Sequence, residues 1–577
     1  MAGSQGARLW RGFVLLASLL LSSFGPGLAL AAPAPPADPV LAAMQAELLR
    51  TTQTLRLDEF DKPYFVGFRV IDRTSTSVTA RFGAVVAQND DHTRNAAADI
   101  RVGDYRFDSS PDSGDFSFED GPAFDATSQA PIEDDGHALR ATLWLLADQA
   151  YKKALATHLR KRAKKVDEVD EKQTDSFSHE APSTHVDAAK QLVLDPEAWA
   201  ALARRVSAKF RAGEGVLDGS LRISADKNRV YLVNSEGSRI VKEDILYSIQ
   251  VVALGRAADG MLLDQGQTFY ARSPTGLPSE AELSALTTLA MSNLKALAAA
   301  PIADPYTGPA ILEPEATGVF FHETVGHRLE GERQKDENEG RTFKGQLGLP
   351  ILPSFITVRD DPTQVAFNGK ALNGHYRYDD EGVASRNTVL VDKGILRTFL
   401  MSRTPVEGAT KSNGHGRAQG TQRPVARMGS LFVESTNAVS REALKTLLVE
   451  EARKQGKPYG LIIRDITGGS TNTSNYGYQA FKGSPRLVYR VDATTGAETL
   501  VRGVEMVGTP LTAVNKIMAT SVEHGIFNGF CGAESGYVPV STIAPATLFR
   551  EIELQRTQRE KERGPLLPPP WPSAAPR

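Results

Sequence analysis

His322, Glu323 and His327, within the stretch His322-Glu323-Thr324-Val325-Gly326-His327, are the residues of this chain best suited to chemistry. Two imidazoles are good zinc ligands, and a carboxylate beside the first can handle a proton. Metal-assisted hydrolysis of an amide needs that combination of a Lewis acid, a water and a general base. The common zinc-protease signature separates its histidines by four positions, whereas here the separation is five. At about 100° per residue, four positions leave about 40° between side chains and five leave about 140°. A regular helix therefore points His322 and His327 apart. Both reach one metal only if the helix is widened by an extra residue or broken. Gly326, which tolerates unusual dihedrals, stands where such a distortion is needed. The motif is either a bulged metal helix or an accident of composition.

A hydrolytic zinc site takes three protein ligands and keeps one position open for water. Glu330, three residues after His327, is a local candidate for the third ligand, although a salt bridge or second-layer support is its simpler role. His375 and His415 lie in Gly-rich segments, Asn373-Gly374-His375 and Asn413-Gly414-His415-Gly416-Arg417. Either could touch substrate or be a surface-loop histidine. Cys531 is the single cysteine, so it forms no intrachain disulfide, and it offers the softest ligand. Gly529 and Gly532 nearby suit a loop that presents it closely. Spacing alone does not decide among the four.

The elements that must position these groups read as follows. Arg8 and Arg11, the apolar run Gly12 to Leu21 and the small-residue site Ala29-Leu30-Ala31 make residues 1–31 a signal peptide. The expectation is an exported protein, periplasmic or secreted, with no membrane span after signal removal. A formal net charge of −3 gives no indication of nucleic-acid binding. Helices are predicted at 42–56, from Gly136, over Pro196 to Arg211 and over Ser279 to Ala299. Strands are predicted over Tyr64 to Gln88, with a turn at Asn89-Asp90-Asp91, and around 230–233, 245–252, 309–312, 487–491 and 501–507. The segment Gln173 to Val186 reads as a mobile loop, which makes His179 and His185 poor ligands. The metal helix starts near Pro314, with Pro and Glu in its first turn. Helices and strands do not alternate as βαβ units, so the fold class is α+β. A mixed N-terminal α/β region at 40–300 precedes a β-rich C-terminal domain at 301–555, and 556–577 read as a disordered tail.

The stretch Gly318 to Gly331 resembles the signature of the catalytic branch of the TldD/PmbA peptidase family. Tyr378-Asp379-Asp380-Glu381-Gly382-Val383 resembles that family's Asp-Asp-Glu-Gly block, Asn413 to Arg417 its Gly-x-Gly-Arg block, and Gly529 to Pro539 its Cys-Gly block. The resemblance implies one Zn2+ per chain held by His322, His327 and Cys531, with Glu323 as base. It also implies a homodimer, or a heterodimer with a related, metal-free family member, acting on short or unfolded peptides. His415 and Arg417 are candidates for gripping substrate or steadying an oxyanion. Asp379-Asp380-Glu381 is expected to fix a turn by bonding backbone amides. Another metal-dependent amidase, or a non-catalytic partner subunit, is the alternative reading.

Overall fold

The computed structural model describes residues 38–110, 126–165, 174–476 and 479–557, together with 565, 567 and 570. The signal peptide and nearly all of the tail read from the sequence lie outside the described residues.

The N-terminal half is built on one seven-stranded sheet whose long members are Phe65–Arg81, Ala84–Arg101, Val216–Asn234 and Arg239–Arg256. Their length lets a single sheet carry two cores. Val66, Phe68 and Val70 share one face with Val78 and Ala80 by the period-2 alternation of a strand. The first three pack with Leu139, Leu143 and Leu146 of the helix Gly136–Lys165, beside the helix Pro39–Thr54. The last two pack in a cluster with Val206 of the helix Pro196–Ala208 and Leu294 of the helix Glu280–Ala299. A capping box at Ser279 and Glu282 starts that last helix.

One predicted turn is corrected. Asn89, Asp90 and Asp91 lie inside the strand Ala84–Arg101, paired with Ser77, Thr76 and Ser75. The chain reverses instead at Phe82 and Gly83, both at positive φ (44° and 84°). A polar run on an exposed stretch of ribbon resembles a turn in sequence, but the left-handed conformation that reverses the chain falls at the glycine. The segment read as a mobile loop also contains the short strand Thr184–Val186, and His185 Nε2 lies 2.9 Å from Asp187.

The C-terminal half holds a twelve-stranded sheet. Tyr306–Leu312 pairs in parallel with Tyr459–Thr471 and antiparallel with Gly536–Arg556. The order then runs from Gly536–Arg556 through Val504–Gly508 and Phe481–Asp492 back to Tyr459–Thr471, so five strands close on themselves. Phe320, from the helix that follows Tyr306–Leu312, stacks edge-on against Phe481 and Phe549 in this core. The helix bearing the histidines is thereby fixed against strands on several sides.

The acidic block joins the two halves. Asp379 Oδ1 accepts from the amides of Glu381 (3.0 Å) and Val383 (2.8 Å), which holds the expected turn. Lys242, from the N-terminal sheet, donates to Asp380 Oδ1 at 2.7 Å, and Arg69 donates to the Asp380 carbonyl. Glu381 accepts from the Arg403 amide at 2.7 Å. Burial, and next the neighbouring Asp379, push the Glu381 carboxyl up to about 8 from 4.5. A carboxyl raised in the folded state contributes stability that is complete below its unfolded value and is lost as pH rises through the folded one. Glu381→Gln is therefore expected to reduce the fall in melting temperature between pH 6 and pH 9. Melting curves at both pH values check this, and an equal fall in both proteins contradicts it.

Candidate metal and hydrolytic site

The helix Pro314–Phe321 does not continue regularly into the histidines. His322–Gly326 forms a π-turn, in which the His327 amide bonds the His322 carbonyl five residues back, and His327–Leu329 then tightens into a 3₁₀ turn. The extra residue per turn brings the two rings to 5.0 Å between centroids, at 87° to one another. The widening required by the five-residue spacing is thus present. Gly326, however, has ordinary helical dihedrals (φ −54°, ψ −56°). Glycine serves there for space: a Cβ would stand 2.1 Å from Met428 Sδ. Gly326→Ala is expected to lower stability by about 1–3 kcal/mol, and Met428→Ala in the same chain to recover part of it. A double-mutant cycle by thermal melting checks the pair, and a neutral Gly326→Ala contradicts it.

Cys531 is on a strand, not a loop. It lies in Ile517–Ala533 opposite Val538 of Gly536–Arg556. Its Sγ is 3.1 Å from His322 Nε2 and 3.3 Å from His327 Nε2. The donor atoms of the three residues lie within 4.8 Å of one another, and all three residues are buried. Burial alone would raise the thiol, but His327 and His322 hold it well below its ordinary value. Burial would likewise lower His327, yet Cys531 and Glu330 raise it well above.

The surroundings fit a metal at this point. His327 Nδ1 is 3.1 Å from Glu330 Oε2, which leaves Nε2 facing Cys531. His322 Nδ1 is buried without a hydrogen-bond partner. One thiolate and two imidazoles are a donor set for zinc, whereas calcium and magnesium take oxygen.

Glu330 is a supporting carboxylate. It also accepts from Arg333 Nε at 2.7 Å and stands 3.5 Å from Arg427 Nε. Burial opposes its ionisation, but His327 and then Arg333 bring it down to about 2. Arg427 donates to the Cys531 carbonyl at 2.7 Å, which ties the thiol's strand to the same carboxylate. Arg328 donates to the Glu323 carbonyl and to Thr471 Oγ1, fastening the π-turn to Tyr459–Thr471.

The Glu323 side chain lines a cleft of about 1460 Å³ together with the three donor residues. Strand Leu262–Ala271 of the N-terminal half forms the facing wall, where Tyr270 meets Phe530 edge-on at 6.1 Å. The backbone of Gly469 covers Glu323 closely: a Cβ there would lie 2.7 Å from Glu323 Cγ. Arg333, Arg427 and Gly469 are absent from the sequence reading, and Arg328 enters it only as part of the stretch Gly318 to Gly331.

Two expected substrate residues are corrected. His415 is fully buried, with Nε2 3.2 Å from Asp360 Oδ1 and Nδ1 2.9 Å from Asn413 Oδ1. Arg417 donates to the carbonyls of Met428 and Pro539 and lies over the Tyr376 ring. Neither lines the cleft. Their Gly-rich block presents buried struts, because Asp360 and Pro539 are distant in sequence and adjacent in space. His375 points Nδ1 at the Pro362 carbonyl, 2.8 Å away.

Residues 305–556 match the family model described as the PmbA/TldA metallopeptidase C-terminal domain. Over that domain the chain is similar to the TldD/PmbA family. A metalloprotease of Methanocaldococcus jannaschii is 31% identical over 232 residues, 40% of this chain and 47% of the relative. A zinc metalloprotease TldD homolog of Saccharolobus solfataricus is 24% identical over 248 residues, 43% of this chain and 51% of the relative. The chain spans about half the length of the curated relatives it matches. The crystal structure of TldE from Thermococcus kodakarensis shares the fold at TM-score 0.58 and 15% identity, covering 89% of this chain and all of that one. A Thermotoga maritima structure does so at TM-score 0.57 and 15% identity, covering 85% of this chain and 96% of that one. The fold of these two structures thus extends over both halves.

Proposed function

We propose that the chain is a zinc-dependent metallopeptidase that hydrolyses peptide bonds in short or unfolded peptides. The observation that carries this reading is the His322–His327–Cys531 cluster with the Glu323 carboxylate open to the same cleft. Bound by these three residues, zinc supplies a Lewis acid that polarises the scissile carbonyl and makes a water more acidic. Glu323 takes the proton from the attacking water and delivers it to the leaving amide nitrogen. Glu330 holds His327 by Nδ1, so the ring keeps one orientation through turnover. Arg427 keeps the Cys531 strand in place from behind.

The cleft favours extended chains. Its volume exceeds that of a small-molecule pocket, but its donor atoms are recessed and buried. A folded protein presents no loose segment long enough to reach them. We extend the proposal to an exported protein, periplasmic or secreted, that works as a homodimer or beside a related family member. Arg8 and Arg11 ahead of the apolar run Gly12 to Leu21 support export. The fold shared with TldE supports a paired assembly. Among the described residues no helix is long and apolar enough to cross a membrane.

A non-catalytic partner subunit is the second reading, favoured by the likeness to TldE. The complete set His322, Glu323, His327 and Cys531 weighs against it. Digestion of one protein in its folded and unfolded forms, with products read by mass spectrometry, tests the proposal. Internal cleavage of the unfolded form alone is expected. Release of formate or ammonia without peptide cleavage points to a different amidase.

A further inference from the structure

Glu315, Val319, His322 and Glu323 all line the cleft, at the spacing of one helix face. A rise of 1.5 Å per residue places Glu315 roughly 12 Å from Glu323 along the axis. At about 3.3 Å per residue, that distance is three to four residues of an extended peptide. Most other charged side chains along the cleft have partners. Arg272 pairs with Asp244, and Arg333 with Glu330, Glu339 and Glu534. Glu282 caps the helix that Ser279 begins. Arg486 is held 2.8 Å from Asp465 and 3.9 Å from Asp264. Glu315 makes no hydrogen bond or ion pair among the described residues, and its side chain is exposed to the cleft. At this end Asp465 and Glu315 both lie near the Arg486 guanidinium, and Asp465 holds it. Lys370 also lines the cleft and is exposed, and it forms no ion pair with Glu315. Desolvation by the cleft walls, and next Asp465, raise the Glu315 carboxyl above its ordinary value, as expected of an under-compensated charge.

We propose that Glu315 is a specificity residue that selects peptides carrying a lysine or arginine three to four residues from the bond to be cut. The inference rests on the peptidase reading above and names part of its substrate class. Glu315 also stands in the first turn of its helix, where any acid is favoured by the dipole. That role affects stability and does not discriminate between peptides.

The test uses the zinc-loaded full chain and peptides that differ at one position, Lys, Gln or Glu, moved stepwise away from the scissile bond. The Lys peptide should exceed the Glu peptide in kcat/KM by about tenfold at one position three to four residues away, on the scale of a partly screened ion pair. That ratio should shrink as salt is raised. Glu315→Gln should bring it close to one, and Glu315→Lys should invert it. These ratios are insensitive to a general loss of activity, so a purely structural role would leave them unchanged. Normal cleavage of the Gln peptide with no Lys preference, or a preference that survives Glu315→Gln, overturns the inference and leaves the peptidase reading standing. Failure to cleave any peptide, the uncharged one included, removes both.

Discussion

Glu323→Gln is expected to retain zinc and the native fold while losing peptide hydrolysis by about 10²- to 10⁴-fold, the usual contribution of a positioned general base. The substitution keeps the shape of the side chain and removes its ability to take a proton. No hydrogen bond to the Glu323 carboxylate exists among the described residues, so the variant leaves no protein donor unsatisfied. Its backbone carbonyl, which Arg328 holds, is untouched. Zinc content, melting temperature and kcat/KM should therefore separate cleanly, with only the last changed. Retention of full activity would remove Glu323 from the mechanism.

Glu330→Ala is expected to act in the opposite way, through the metal and the fold. The carboxylate is buried and faces three positively charged or proton-bearing groups, His327 Nδ1, Arg333 Nε and Arg427 Nε. Its removal leaves the buried Arg427 and the largely buried Arg333 under-compensated, which typically costs about 3–5 kcal/mol. His327 also loses the group that fixes its ring, which typically lowers metal affinity about 10- to 100-fold. Competition with a chelator and thermal melting measure the two effects. Unchanged zinc affinity with unchanged stability would show that Glu330 supports neither the metal nor the fold.

The His-Glu-His half of the site was legible because it is contiguous. His322, Glu323 and His327 lie within six residues, and helical geometry alone requires the widened turn that the structure contains. Cys531 was chemically plausible but indistinguishable by spacing from Glu330, His375 and His415, and the family resemblance singled it out. The reason for Gly326 was not legible, because Met428 lies about a hundred residues away in the chain. The same limit applies to Arg333 and Arg427, since an arginine amid polar residues reads as surface until its buried carboxylate is known. It misled in the reverse direction for His415 and Arg417, whose glycine-rich block looked exposed and is packed against Asp360 and Pro539. At the level of fold, the helices of the N-terminal half and the β-rich C-terminal half followed from periodicity, whereas the helix Arg441–Lys454 was not foreseen. The reversal at Phe82-Gly83 did not, because a run of Asn and Asp signals a turn more strongly than one glycine beside an aromatic residue.

The central claim is that His322, His327 and Cys531 hold one zinc. X-ray absorption at the zinc edge of the purified, zinc-loaded protein tests it most directly, because the chain has a single cysteine. A zinc stoichiometry of about one is expected, with one sulfur at about 2.3 Å and two imidazole nitrogens at about 2.0–2.1 Å. The sulfur contribution should disappear in Cys531→Ser. A zinc shell of oxygen and nitrogen alone in the wild-type protein would contradict the assignment.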